Sequence, residues 1–350
     1  MKVGGLLTTI RPFEAGRLLI PEVDRMLQNR YRMLQAIQTQ GPIGRRMLAE
    51  VLNRTEREIR NEMGVLQEKG LIRVFQKGMI LTELGYVVLE ELKSYFYEVS
   101  GLAEKEKLLA KHLHVTKVSI VAGDVDEDVS TKAYLGKEAS YILSERAKPK
   151  SIVAVTGGSS VASLRRNLTD SKPFNSMKFV AARGSMSNEV SHQANTLVAK
   201  FAKECGASYH TLFLPEFLSD QAYALMKEEP IVKETIELYD AANIVIHGIG
   251  TASEMGKRRN MAQEEYTALL GSGAVGEAFG YYYDEQGNVV HRIKTVGIQM
   301  QQVENSELIV AIAGGKSKAK AIEAYFKFAA KHTVLITDEG AADEILKQYS

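Results

Sequence analysis

Thr156-Gly157-Gly158-Ser159-Ser160 gathers two glycines, paired serine hydroxyls and a run of main-chain amides into five residues. Glycine lets a ligand approach the backbone closely, and amides opening a helix carry positive potential, so the chemistry on offer is anion binding, phosphate above all. Gly314-Gly315-Lys316-Ser317-Lys318 has the same character and adds ammonium groups. Neither run is a P-loop, which needs Gly-x4-Gly-Lys-Ser/Thr, and no Gly-x-Gly-x-x-Gly stands behind the first strand of this half. Each turn alone reads equally well as a structural strand-to-helix connection. Both together, with Arg183 and Arg258-Arg259 just beyond other strand ends, favour an anionic ligand. Asp124 and Asp338-Glu339 also fall past strand ends. Paired carboxylates can do acid–base work, but solvated turns or helix N-caps suit these better.

A second set of residues lies near the N-terminus. Arg57, Arg60 and Asn61 could reach guanine or adenine edges, while Arg45, Arg54 and Lys77 could grip phosphates. Residues 1–78 hold 14 Lys and Arg against 8 Asp and Glu, whereas the remainder holds 30 against 35. The overall balance of +1 thus conceals a basic head on a mildly acidic body, as DNA binding requires.

The elements that must position these residues follow from periodicity. Apolar positions Val23, Met26, Leu27, Tyr31, Leu34 and Ile37 predict an amphipathic helix over 22–39, stopped by Gly41-Pro42. A short helix over 43–52, the turn Asn53-Arg54 and a second helix over 56–69 follow. Thr55 is its N-cap, and Glu58 occupies the capping-box position. That is the helix-turn-helix layout, whose second helix enters the major groove by its N-terminal half. Residues 70–75 and 79–81 read as a hairpin wing turning at Gln76-Lys77-Gly78. Thr82 caps a linker helix to Val99 with Leu84, Val87, Val88, Leu92 and Tyr95 as its stripe; a dimer seam and packing against one domain both fit it.

From Lys105 apolar strands alternate with helices: Val118–Val121, Ile152–Val155, Phe179–Ala182, Leu212–Leu214, Ile244–Ile246, Leu308–Ala313 and Val334–Ile336. This predicts an α/β fold, a mostly parallel Rossmann-like sheet covered on both faces, with ligands beyond the carboxyl ends of its strands. The expected domains are 1–100, a winged helix-turn-helix with its linker helix, and 101–350, which carries the ligand-binding turns.

The 350 residues, 45% hydrophobic and 25% charged, suit a two-domain globular chain. No run approaches the ~20 apolar residues of a membrane span, and residues 1–20 lack the pattern of a signal peptide. A lone cysteine, Cys205, fits a reducing cytoplasm and reads as a small semi-buried residue rather than a catalytic thiol. His112 and His114 are closely spaced, yet no ligand set completes a metal site, and no cofactor is expected.

The chain carries Gly41-Pro42-Ile43-Gly44-Arg45-Arg46, Gln193-Ala194-Asn195-Thr196, His247-Gly248-Ile249-Gly250, Arg258-Arg259-Asn260, Glu277-Ala278-Phe279-Gly280-Tyr281-Tyr282 and Thr337-Asp338-Glu339-Gly340-Ala341. In these runs it resembles the SorC family of transcriptional repressors, over nearly the whole chain from Glu22. The resemblance implies a repressor of an operon for the lower half of glycolysis, including glyceraldehyde-3-phosphate dehydrogenase, with fructose 1,6-bisphosphate as effector. It implies a C-terminal fold similar to sugar-phosphate isomerases and deaminases, and a dimer-to-tetramer assembly on operator DNA that the bisphosphate loosens. One phosphate is expected in the Gly157-Gly158-Ser159-Ser160 turn with help from Lys318; the family carries threonines where Ser159 and Ser160 stand. Arg183, Gln193 and Arg258 match other ligand-contacting positions, and Glu277 is expected to take sugar hydroxyls. An isomerase or deaminase on the same fold, and a repressor answering another sugar or polyol phosphate, are the alternatives. An enzyme would have no use for a winged helix.

Overall fold

The computed structural model describes residues 19–99, 101–185, 190–216 and 218–347, and it divides after Ser100 into two units. In the first unit, helix α1 (Pro21–Gln40) is followed by α2 (Arg45–Val51) and α3 (Glu56–Glu68), then strands β1 (Ile72–Phe75) and β2 (Gly78–Leu81), then α4 (Glu83–Val99). The capping box on α3 forms as expected: Thr55 accepts from the Glu58 amide while the Glu58 carboxylate accepts from the Thr55 amide. Asn53 takes a left-handed φ of 48° in the α2–α3 turn, a conformation asparagine tolerates.

β1 and β2 pair antiparallel across the two-residue turn Gln76-Lys77, and Ile43 adds a bridge to Met79. Gly78 is needed at that corner, with φ 131° and a Cβ that would meet the Ile43 backbone at 2.7 Å. The unit's core is Tyr31, Met33, Leu34, Ile37, Leu48, Ile59, Leu66, Met79 and Leu89 with their neighbours. Two expected stripes shift. Val23 and Met26 are exposed, and on α4 it is Leu89, with Val88, Leu92 and Phe96, that packs inward, whereas Leu84 and Val87 face solvent. Phe96 stacks on Tyr31 at 4.4 Å, so α4 packs on its own unit's core. The side chain of Tyr95 and residues 1–18 lie outside the described residues.

The second unit holds α5 (Leu102–His112), β3 (Lys117–Val121), α6 (Thr131–Arg146), β4 (Ile152–Val155) and β5 (Lys178–Ala181). Next come α7 (Ala194–Cys205, after the short turn of helix Ser159–Ala162), β6 (Ser208–His210), β7 (Ile244–Gly248), β8 (Gly250–Thr251), β9 (Ala274–Ala278), β10 (Tyr281–Asp284) and β11 (Val289–Arg292). β12 (Leu308–Ile312) and β13 (Thr333–Asp338) complete the strands. A seven-stranded parallel sheet runs β3-β13-β12-β7-β4-β5-β6. Its central strands are buried at every position of β12 and β13, as a sheet covered on both faces requires.

Two features depart from the sequence reading. The edge strand is Ser208–His210, not Leu212–Leu214: the Leu212 amide and carbonyl are taken by the side-chain amide of Asn195 instead of by a ladder. And β8 to β11 form a separate antiparallel sheet, ordered β11-β10-β9-β8, that the alternating strand–helix pattern did not suggest.

Candidate functional site

The chain leaves β4 toward β5 and β6 on one side and returns to β7 on the other, so the strand order reverses between β4 and β7. A crevice opens there beyond the carboxyl ends, the place where parallel α/β sheets bind ligands. The turn after β4 and the Gly248-Ile249-Gly250 run after β7 form its floor. The cleft encloses about 790 Å³, open mouth included, and all nine residues chosen from the sequence line it: Gly157, Gly158, Ser159, Ser160, Arg183, Gln193, Arg258, Glu277 and Lys318.

The Gly157-Gly158 pair is dictated locally. A Cβ on Gly157 would sit 2.7 Å from the His192 carbonyl, and Gly158 has φ 125° while its amide donates to that same carbonyl. Ser159 and Ser160 then open the helix Ser159–Ala162, so their amides have no carbonyl one turn earlier in that helix. Gln193 is the N-cap residue of α7 and is buried.

Arg183 stands differently from expectation. Its guanidinium donates to Glu216 and lies 3.5 Å from Glu277, and both carboxylates also hold Arg259, at 3.1 and 3.0 Å. Arg259 further donates to the Tyr282 hydroxyl at 2.8 Å, and Glu277 accepts from the Gly280 amide at 2.5 Å. Two arginines and two glutamates thus form a buried, charge-balanced cluster in the cleft wall. Burial alone would raise the Glu216 pKa, but Arg183 and Arg259 outweigh it and hold the carboxyl below its ordinary value. Glu277 is therefore first a counter-ion for Arg259.

At the other end of the cleft, Lys318 is half-buried. Burial pushes its ammonium below the ordinary lysine pKa, Lys132 and Arg258 push the same way, and Glu254 and Asp126 oppose them. Lys132, on α6, donates to Ser159 Oγ at 3.2 Å. Sequence reasoning missed Lys132, Glu216 and the buried role of Arg259, because each acts through a partner distant in the chain.

The second glycine-rich turn is a correction. The Gly315 amide donates to Asp338 Oδ2 at 2.7 Å, Lys316 to Asp124 Oδ1 at 3.4 Å and Ser317 to Asp126 Oδ2 at 2.7 Å. The chain supplies its own anions there, and only Lys318 from this run reaches the cleft. Asp338 is an N-cap, accepting from the Ala341 amide at 2.9 Å. Cys205 is buried, with burial raising its thiol pKa, and among the described residues no cluster of His, Cys, Asp and Glu could hold a metal.

In the first unit, Arg57, Arg60 and Asn61 lie exposed on α3, and Lys77 is exposed at the tip of the wing. Arg45 is ion-paired with Glu56 at 3.4 Å, and Arg54 is half-buried in the α2–α3 turn.

A helix-turn-helix with a hairpin wing, carried on the same chain as an α/β unit with a polar cleft at its strand switch, defines a ligand-responsive, DNA-binding transcriptional regulator. Residues 26–96 match the CggR N-terminal DNA binding domain, and residues 97–347 match the family described as "Putative sugar-binding domain". The chain belongs to the SorC family of sugar-binding transcriptional regulators. It is 41% identical to the Central glycolytic genes regulator of Priestia megaterium, over 96% of this chain and 98% of that protein. It is 40% identical to the protein of the same name from Bacillus subtilis, over 95% and 98%. A SorC family transcriptional regulator structure from Enterococcus faecalis superposes with a TM-score of 0.65 at 38% identity, covering 69% of this chain and 99% of that one. No described helix is long and apolar enough to cross a membrane.

Proposed function

We propose that this chain represses glycolytic genes, the glyceraldehyde-3-phosphate dehydrogenase operon among them, and is induced by fructose 1,6-bisphosphate. It works as a cytoplasmic homo-oligomer, dimer to tetramer, with operator DNA and the phosphorylated sugar as partners and no cofactor. Glycolytic genes come into the reading through the two relatives at 40–41% identity whose name carries them. The observation that carries the effector is the cleft itself. Four cations (Arg183, Arg258, Arg259 and Lys318) line it with three carboxylates, beside two serines that open a helix. A bisphosphate brings roughly four negative charges at neutral pH, which only converging cations and amides can take over from water.

Thermal melting against a panel of phosphorylated sugars tests the effector, because a ligand that binds only the folded state stabilises by about 2.7 kcal/mol at a hundred times its Kd. Fructose 1,6-bisphosphate is expected to give the largest shift. A larger shift with another sugar phosphate would reassign the effector, and no shift with any would sink the reading. For the head, Arg57→Ala and Arg60→Ala should each cost about 1–3 kcal/mol on the operator and relax specificity at one position. Lys77→Ala should weaken all DNA alike and flatten the salt dependence. Normal operator binding by the Arg57→Ala, Arg60→Ala double variant would remove α3 as the reading helix.

A further inference from the structure

Among the described residues, Ser159 is the one cleft hydroxyl with a charged side chain behind it. Lys132 Nζ lies 3.2 Å from Ser159 Oγ, and the lysine comes from α6, twenty-seven residues earlier in the chain. Among the described residues no carboxylate forms an ion pair with Lys132, so its charge is not spent on a neighbouring acid. An ammonium is all donor and no acceptor. In this contact Ser159 Oγ must therefore accept, which leaves the serine's own proton to be donated elsewhere. Ser159 lies on the cleft lining, next to the opening amides of the helix, and Lys318 lines the same cleft.

We propose that Lys132 is a positioning and specificity residue of the effector site: it fixes Ser159 as a donor into the cleft and, with Lys318, makes that end selective for a dianionic phosphate monoester. This rests on the reading of the cleft as a phosphorylated-sugar site. A serine without such a partner turns its proton toward whichever acceptor is nearest, and it serves a protonated phosphate nearly as well as a dianion. With Lys132 behind it, the hydroxyl presents only a hydrogen to the ligand, and Lys318 lines the same cleft. Lys132 and Lys318 repel one another, and a dianion bound in the cleft relieves that repulsion.

The test is made on the full chain with fructose 1,6-bisphosphate as probe, measuring affinity by calorimetry from pH 5.5 to 7.5 in wild type, Lys132→Met, Ser159→Ala and the double variant. Lys132→Met should bind about tenfold more weakly at pH 7.5, the order of one charge-assisted hydrogen bond. Its affinity should also fall less between pH 7.5 and 5.5, where the second phosphate proton returns near pKa ~6. Ser159→Ala added to Lys132→Met should cost less than about twofold more, since residues acting through one contact are not additive. A merely structural lysine would lower the melting temperature of the free protein and leave the pH profile and the cycle unchanged. If Lys132→Met fails to fold, Lys132→Arg and Lys132→Gln replace it, with arginine expected to keep the wild-type pH profile and glutamine to flatten it. Wild-type affinity and pH profile in the Lys132 variants would overturn the assignment while leaving the site intact. Failure of the wild-type chain itself to bind the bisphosphate would overturn the parent reading and this inference with it.

Discussion

The turns after β4 and β12 are near twins in sequence and opposites in use. Both follow a buried parallel strand, and both have a glycine with positive φ, 125° at Gly158 and 101° at Gly315. After β12, the carboxylates of Asp338, Asp124 and Asp126 occupy the amides of Gly315, Lys316 and Ser317. After β4, the side chain that reaches a hydroxyl of the paired serines from outside the turn is, among the described residues, a cation, Lys132. The difference teaches that a glycine-rich turn announces an anion, not a ligand. Whether the anion comes from solution is decided by the acidic residues that the fold brings beside it.

That contrast is broken most severely at Asp338. Its carboxylate accepts from three buried or half-buried amides, those of Val125, Gly315 and Ala341. Asp338→Ala should destabilise the second unit by about 3–5 kcal/mol, since each stranded donor costs about 1–3 kcal/mol. Chemical denaturation measures it. A loss below about 1 kcal/mol would mean the second turn does not depend on its internal anion.

Alkaline pH sharpens the contrast next. Lys318 has its pKa held below the ordinary 10.5, chiefly by burial, and a bound phosphate dianion favours its charged form. Binding therefore takes up a proton, so effector affinity should fall as pH rises through the lowered Lys318 pKa. The fall should begin on the acid side of 10.5 and amount to about tenfold, the worth of one charge-assisted contact. Lys318→Arg, whose guanidinium does not titrate there, should abolish this limb; an unchanged limb would place the titrating group elsewhere.

The smallest effect lies at Asp126, in the loop after β3, whose charge acts on Lys318. Asp126 opposes the burial of Lys318 by holding it charged, yet its own charge repels an incoming phosphate. Asp126→Asn keeps an acceptor for the Ser317 amide and removes the charge. Effector affinity should rise about two- to threefold at low salt and less at high salt, as screening of an exposed charge requires. Weaker binding would show that its support of Lys318 outweighs the repulsion.

What could be read in advance follows the range of the interactions. The capping box of α3, the α2–α3 turn and the wing are encoded within three or four residues of each other, so Thr55, Glu58 and Gly78 declare them. The nine cleft residues were legible as strand-end residues and through family resemblance. Long-range pairing was not. Nothing local to Arg183 or Arg259 says that Glu216 and Glu277 will neutralise them, nor does Lys132 announce Ser159. The β8–β11 sheet was hidden for a different reason: its strands are short, and β8 is only Gly250–Thr251. Leu212–Leu214 has a strand's composition, but Asn195 takes the hydrogen bonds a ladder would need.

The central claim is that the turn after β4, with Lys318, receives a phosphate whose arrival is felt at the operator. Titrating fructose 1,6-bisphosphate into operator complexes of the wild-type chain and of Lys318→Ala tests it most directly. Both proteins should bind the operator equally without sugar. The wild-type complex should dissociate, while the variant should need about ten- to a hundredfold more bisphosphate, as loss of one charge-assisted bond of about 1.5–3 kcal/mol dictates. Equal sensitivity of the two complexes to the bisphosphate would contradict the claim.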